Sequence, residues 1–313
     1  MKIAFFGTPE FAVPVLESLI DSRHEVILVV SQPDRPKGRD MKVDPTPVKK
    51  IAVNSNIPVL QPEKCSDQAF VNEYKKSAPD INIIVAFGQI IPDSIIYHPK
   101  FASVNIHASL LPKYRGASPI NWAIINGDKE TGVTYQFIEK RLDAGDIINV
   151  EKAAIEETDD AITMFAKLSK LSGDTVVKVV DTVGAGKAIR TKQDESKATI
   201  VKTLKKEEGR LDFNKPAETI VNKVRGLVPW PNAYCMMKGK TLKILSAAVS
   251  QCPVGSENSA AGTVIGLVKG TGFLIKTADT CVLAKTVQPE SGKKMNGSDF
   301  ANGQKDLAGL KLD

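Results

Sequence analysis

The sequence predicts an α/β fold in which a mostly parallel sheet domain precedes a smaller β-barrel domain. Three observations carry this. Apolar runs alternate with helix-like segments through the first half, apolar periodicity gives way to charge near residue 188, and short strand-like stretches punctuated by Gly and Pro follow. At 313 residues and 33.8 kDa the chain exceeds the usual size of one hydrophobic core, so two domains are expected.

The run KIAFFG at 2–7 is read as a first strand, because Gly-Thr-Pro-Glu follows at once and no small-residue cleavage pattern of a secretory signal is present. Thr8 as N-cap with Pro9 at the first helical position then starts the helix PEFAVPVLESLI. This turn lacks Gly-x-Gly-x-x-Gly, which disfavours a dinucleotide site. After the strand EVILVV comes QPDRPKGRDMKVDPTP, rich in Pro, Gly and charge and long for a connection in an α/β unit: either a functional loop or a plain surface loop. INIIVAFG, SVNIHASL and GVTYQFI continue as strands, with SPINWAIING as a helix between the last two. Such alternation gives a Rossmann-like sheet covered on both faces, with ligands at the carboxyl ends of its strands.

Ile162, Phe165, Ala166, Leu168 and Leu171 recur near helical spacing, so a long helix over 158–185 closes the first domain. Residues 188–207 gain Lys, Asp and Glu and lose periodicity, as a linker does. Beyond it, the helix KPAETIVNKVRGL and the strands YCMMKG, KTLKILSAAV, GTVIGLV, GFLIKT and CVLAKTVQP predict a small OB-like barrel. The expected domains are therefore 1–187 and 208–313.

No apolar run approaches the ~20 residues that cross a bilayer, so no membrane association is expected. Cysteines at 65, 235, 252 and 281 show no Cys-x-x-Cys pair, which suggests reduced thiols in a cytoplasm. Histidines at 24, 98 and 107 lack metal-ligand spacing, and no metal is expected. Residues 1–189 carry 22 Lys+Arg against 24 Asp+Glu, and residues 190–313 carry 20 against 12, so a local charge of −2 is followed by +8. The basic region points to a polyanionic partner, with a solvated lysine-rich surface as the alternative.

The chemistry concentrates in VNIHASLLPKYRGASP. Side chains alternate along a strand, so Asn105 and His107 share one face. If the turn carrying Asp143 folds back over the strand ends, an amide, an imidazole and a carboxylate meet. Those groups suit acyl transfer to an amine: a proton acceptor, an oxyanion donor and a carboxylate that holds the ring. The plainer reading has Asn105 and His107 satisfying backbone groups and Asp143 capping a turn. Ser109 lacks the Gly-x-Ser-x-Gly elbow of a serine hydrolase.

NIHASLLPKYRGASPI, with FFGTPEF, VAFGQIIP, GDKETGVT and LDAGDI, resembles the formyltransferase family that uses 10-formyltetrahydrofolate. The loop QPDRPKGR and the segments LKKEEGRLDF, GLVPWPNAY and QPESGKKM resemble the branch of that family whose acceptor is initiator methionyl-tRNA, and the likeness runs through nearly all of the chain. The resemblance implies a catalytic trio of Asn105, His107 and Asp143. It implies a folate pocket at Phe87, Gly88, Ile91, Ser109, Leu110, Leu111, Pro112 and Leu142, with 10-formyltetrahydrofolate as donor and no metal. It further implies that the long loop, with Arg39, enters the acceptor end of the tRNA. Arg35, Lys37 and Lys42 are expected as phosphate neighbours, with ordinary solvated charges as the alternative, and Lys205, Lys206 and Arg210, where the linker meets the second domain, are expected to track the tRNA backbone with Lys238, Lys240 and Lys243. Arg39 falls on the family's key arginine, although Asp40 and Asp44 make this loop less basic than the family pattern. Trp230 is expected in core or hinge packing, and the protein is expected to be a monomer.

Overall fold

The computed structural model describes residues 1–37 and 42–313, and these divide into two compact units built from discontinuous stretches. The first comprises Met1–Gly116, Thr131–Ala154 and Phe165–Ile200; the second comprises Ala117–Glu130, Ile155–Met164 and Val201–Asp313.

In chain order the elements are β1 (Lys2–Gly7), α1 (Val13–Ile20), β2 (Glu25–Val30), β3 (Pro36–Lys37), β4 (Lys42–Val43), α2 (Pro47–Asn54) and β5 (Val59–Leu60). There follow α3 (Gln68–Ser77), β6 (Ile81–Val85), α4 (Asp93–Ile96), β7 (Ala102–His107), β8 (Arg115–Gly116), α5 (Pro119–Ile125), β9 (Glu130–Phe137), β10 (Ile147–Ala154), α6 (Ala161–Gly184) and β11 (Ile200–Val201).

Seven strands form one sheet in the order β10-β9-β7-β6-β1-β2-β5. The neighbours from β7 to β5 pair in parallel, and β9 runs antiparallel to β7. Ile3 to Phe6 are fully buried, because a parallel strand covered on both faces needs apolar side chains pointing both ways. That is why β1 reads as an unbroken apolar run. On β7 the pattern breaks: Val104 and Ile106 are buried in the core, while Asn105 lies opposite Gln136 and His107 opposite Thr134 across to β9. Directly opposed residues share a face, so these four polar side chains line one side of the sheet near the carboxyl end of β7.

The helix start after β1 differs from expectation. Pro9 precedes a single 3-10 turn over Glu10–Ala12, α1 begins only at Val13, and Thr8 makes no cap. Its hydroxyl instead donates to the Phe87 carbonyl (3.2 Å) and accepts from the Gln32 amide (3.2 Å). Thr8 thus ties together the chain just beyond three strand ends, which outweighs a local cap. Thr46 does cap α2, accepting from the Lys49 amide, with Pro47 at the first helical position.

In the second unit α7 (Ala217–Gly226) buries Ala217, Ile220 and Val224, one stripe at helical spacing, in a core with Leu242, Ile244, Phe273 and Val282. The strands are β12 (Ala233–Met237), β13 (Lys240–Ser250), β14 (Val264–Val268), β15 (Gly272–Lys276), β16 (Cys281–Pro289) and β17 (Met295–Asn296), followed by α8 (Gly297–Asn302). Their pairing is antiparallel and follows the open path β12-β13-β16-β15-β14, with β17 on β16. Both edges bond to residues 309–313. Met236 on β12 exchanges two backbone hydrogen bonds with Asp313 (2.8 and 3.0 Å), and the Val264 amide on β14 donates to the Leu310 carbonyl (2.8 Å).

The expectation of four reduced thiols is corrected: Cys252 and Cys281 form a disulfide. Ser250 sits opposite Cys281 in the β13–β16 register, so the chain leaving β13 brings Cys252 to its partner. A separation of 29 residues carries no sign of this pairing. Cys65 and Cys235 are free and buried, and burial pushes both thiols up to about 12, which leaves them inert at neutral pH. Among the described residues no helix is long and apolar enough to cross a membrane.

Candidate active site

The turn after β9 folds back over the end of β7 and brings the three predicted groups together. Asn105 Nδ2 donates to Asp143 Oδ1 at 3.4 Å, and His107 Nδ1 lies 3.7 Å from the same oxygen. The His107 and Asp143 side chains are 8% and 10% exposed, so water screens their interaction little. The other carboxylate oxygen, Oδ2, accepts from the Gly116 amide at 2.9 Å.

The ring's orientation follows from its other nitrogen. Nε2 lies 2.8 Å from the Tyr114 carbonyl, which can only accept, so Nε2 carries the proton of a neutral ring. Nδ1 is then bare, and it is the nitrogen turned towards Asp143. Taking a proton there would put a new positive charge beside an existing carboxylate. Tyr114 and Asp143 hold φ of 60° and 49°, left-handed conformations that cost roughly 1–3 kcal/mol each in a residue with a side chain. The first aims the carbonyl at His107; the second presents the carboxylate.

The folate-pocket candidates divide by burial. Phe87 is 3% exposed and meets Phe6 edge-on, Leu111 is 6% exposed, and Ser109 is fully buried with its hydroxyl donating to the Lys113 carbonyl at 2.7 Å. Ser109 is therefore a structural hydroxyl and not a nucleophile. Ile91, Leu110 and Pro112 are half-buried, while Gly88 is exposed with φ of 85°, a conformation that suits glycine. Leu142, next to Asp143, is 72% exposed, and Ile90, which sequence reading passed over, is 93% exposed. Two large apolar side chains left to solvent beside pocket residues offer apolar wall for a flat ring system.

Of the tRNA candidates, Arg39 lies outside the described residues, while Lys37 and Lys42 fall on β3 and β4. Arg35 is exposed and pairs with Glu63. Lys205, Lys206 and Arg210 are all exposed at a 3-10 turn over Lys206–Gly209. Trp230, expected in core or hinge packing, is 55% exposed between Pro229 and Pro231, which corrects the core reading. Among the described residues no group of three or more His, Cys, Asp and Glu side chains converges as a metal site requires.

Two known families match most of the chain. Residues 1–180 match a family described as "Formyl transferase", and residues 203–305 match "Formyl transferase, C-terminal domain". This chain belongs to the formyl transferase family. Relatives of this formyl transferase include a protein of Sulfurihydrogenibium sp. (strain YO3AOP1), named "Methionyl-tRNA formyltransferase", which is 42% identical over 100% of both chains. A protein of the same name from Bacillus subtilis (strain 168) is also 42% identical, covering 96% of this chain and 94% of the relative. Two solved structures share the fold. The N-formyltransferase from Helicobacter canadensis in complex with folinic acid and dTDP-3-aminofucose has a TM-score of 0.63 at 18% identity, covering 91% of this chain and 98% of its own. HypX from Aquifex aeolicus in complex with tetrahydrofolic acid has a TM-score of 0.64 at 19% identity, covering 97% of this formyl transferase and 47% of HypX.

Sequence reading missed Gln136. Its Nε2 donates to Asp143 Oδ1 at 3.1 Å, and Thr134 holds the loop after β7 by donating to the Ser109 carbonyl (2.7 Å) and accepting from the Leu111 amide (3.1 Å). The signal was present: Thr134 and Gln136 alternate with Val133, Tyr135 and Phe137, as Asn105 and His107 alternate with Val104 and Ile106 on β7.

Proposed function

We infer that this protein transfers the formyl group of 10-formyltetrahydrofolate to the free amino group of the methionine on initiator methionyl-tRNA. The observation that carries this is the meeting of Asn105, His107 and Asp143 at the carboxyl end of β7, in a chain 42% identical from end to end to a methionyl-tRNA formyltransferase.

The chemistry follows from the groups present. The amine nitrogen attacks the formyl carbon and the carbonyl π bond opens to an oxyanion, which Asn105 Nδ2 stabilises as a neutral donor. Bare Nδ1 of His107 takes the proton that the attacking nitrogen loses, and Asp143 balances the imidazolium. The C–N bond to the folate then breaks, the proton passes to the leaving nitrogen, and tetrahydrofolate departs. No oxidant and no covalent enzyme intermediate is needed. The pterin would be held by Phe87, Gly88, Ile91, Ser109 to Pro112 and Leu142, and the exposed apolar side chains of Ile90 and Leu142 support that reading.

Residues 1–187 act as the folate-binding catalytic domain and 208–313 as the tRNA-binding domain, a division supported by the two matched stretches, 1–180 and 203–305. The second is an OB-like barrel; the bonds from both sheet edges to residues 309–313 support that reading. The long loop, with Arg35, Lys37, Arg39 and Lys42, meets the acceptor end of the tRNA. We read the protein as a cytoplasmic monomer acting on a charged tRNA.

Lys205, Lys206 and Arg210 contact phosphates. Their joint replacement by Ala is expected to raise KM for tRNA about tenfold or more, to lower the slope of log KM against log salt by about two, and to leave kcat unchanged. Steady-state rates over a salt series check this; an unchanged slope would remove these residues from the interface. The function itself is tested by offering labelled donor with initiator methionyl-tRNA, elongator methionyl-tRNA or an amino-sugar nucleotide. Label on the initiator's methionine alone is expected. Preference for the amino sugar would overturn the acceptor while keeping the donor.

A further inference from the structure

Gln193 lies between the two stretches that match the family, 1–180 and 203–305, in a charged segment without apolar periodicity. Yet its side chain reaches the turn that carries Asp143. Nε2 donates to the Asp143 carbonyl (2.9 Å) and the Gly145 carbonyl (2.8 Å), and it lies 3.2 Å from Gln136 Oε1. Two hydrogens cannot serve three acceptors equally, so the shorter bonds to the turn carbonyls dominate. Gln136 in turn donates to Asp143 Oδ1.

The other end of the amide is fixed as firmly. Oε1 accepts from Arg115 Nε (3.0 Å) and Nη2 (2.8 Å), and Arg115 is 3% exposed. Its remaining donors bond to both Glu195 oxygens (2.8 and 3.2 Å), and Glu195 also pairs with Arg141 (2.8 Å). Arg115, and then Arg141, hold the Glu195 carboxyl down to about 2, so this buttress stays charged through the working pH range. Arg115 directly follows Tyr114, whose carbonyl orients His107. One network therefore grips both sides of the catalytic pair.

We propose that Gln193 is a positioning residue for Asp143: anchored by Arg115, its amide holds the Asp143–Gly145 turn so that the carboxylate faces His107. The proposal rests on the reading of Asp143 as the partner of His107 in formyl transfer.

Gln193→Glu keeps the side-chain length and the acceptor for Arg115 but loses both donors, whereas Gln193→Met loses donors and acceptor alike. Each is expected to lower kcat by about 10- to 100-fold, with KM for donor and tRNA within about twofold of wild type, since displacing a catalytic group by under an ångström has effects of that order. Neither should lower kcat further in an Asp143→Asn background. The imidazole 15N chemical shifts of His107 in the free protein should also change in both variants, because the carboxylate facing the ring moves. A Gln193→Glu variant with wild-type kcat would reduce the residue to a partner of Arg115 and overturn the proposal. So would a loss that multiplies fully onto that of Asp143→Asn. If the wild-type protein formylates no initiator tRNA, the functional reading fails by itself. The imidazole 15N shifts then decide, and unchanged His107 shifts in Gln193→Met overturn the proposal.

Discussion

Asp143→Asn is expected to lower kcat for formyl transfer by on the order of 10³-fold while leaving KM for tRNA within about threefold. The carboxylate accepts from three donors, Asn105 Nδ2, Gln136 Nε2 and the Gly116 amide, and also faces His107. An amide in its place keeps the size but removes the charge that balances a protonated ring. It also turns an N–H towards at least one existing donor, so the turn loses order as well. Neither change touches a tRNA phosphate, which is why binding is spared. Steady-state kinetics on both substrates, with a melting curve to confirm folding, checks this. Equal losses in kcat and in tRNA affinity would show that Asp143 serves binding and not chemistry.

His107→Ala is expected to cost about 10²- to 10⁴-fold in kcat, the range for loss of a general base. One feature separates this from mere loss of packing. Added imidazole should restore part of the rate, because the cavity left behind fits the missing ring beside an unaltered Asp143 and Tyr114 carbonyl. Rescue by imidazole supports the base role. A folded variant that imidazole does not rescue would assign the ring to oxyanion stabilisation and the proton transfer to another group.

Asn105 and His107 were legible because a strand's alternation is absolute: once 103–108 is read as a strand they must share a face, whereas the approach of Asp143 depended on a turn folding back and was carried by the family resemblance. The two sheets were legible for a related reason, since continuous apolar runs mark a doubly covered sheet and short Gly-punctuated runs mark another, but the grouping of Ala117–Glu130 and Ile155–Met164 with the second unit was not. What escaped depended on contacts distant in sequence. Gln193 reaches Asp143 across 50 residues from a segment whose charge reads as linker. Thr8 has the local signature of a helix cap, yet its hydroxyl bonds to Phe87, 79 residues away. Cys252 meets Cys281 only through the β13–β16 register. Trp230 reads as core or hinge packing, but its side chain is half exposed.

Single-turnover transfer of labelled formyl group to the methionine amine of initiator tRNA, with wild-type protein in excess and the Asn105→Ala/His107→Ala/Asp143→Asn triple variant beside it, tests the central claim most directly. Rapid formation of labelled formylmethionyl-tRNA by the wild type, and a rate indistinguishable from the uncatalysed reaction for a folded variant that still binds tRNA, is the predicted result. Wild-type speed in the triple variant would place the chemistry elsewhere in the chain, and label released as formate by the wild-type protein would contradict transfer to the amine.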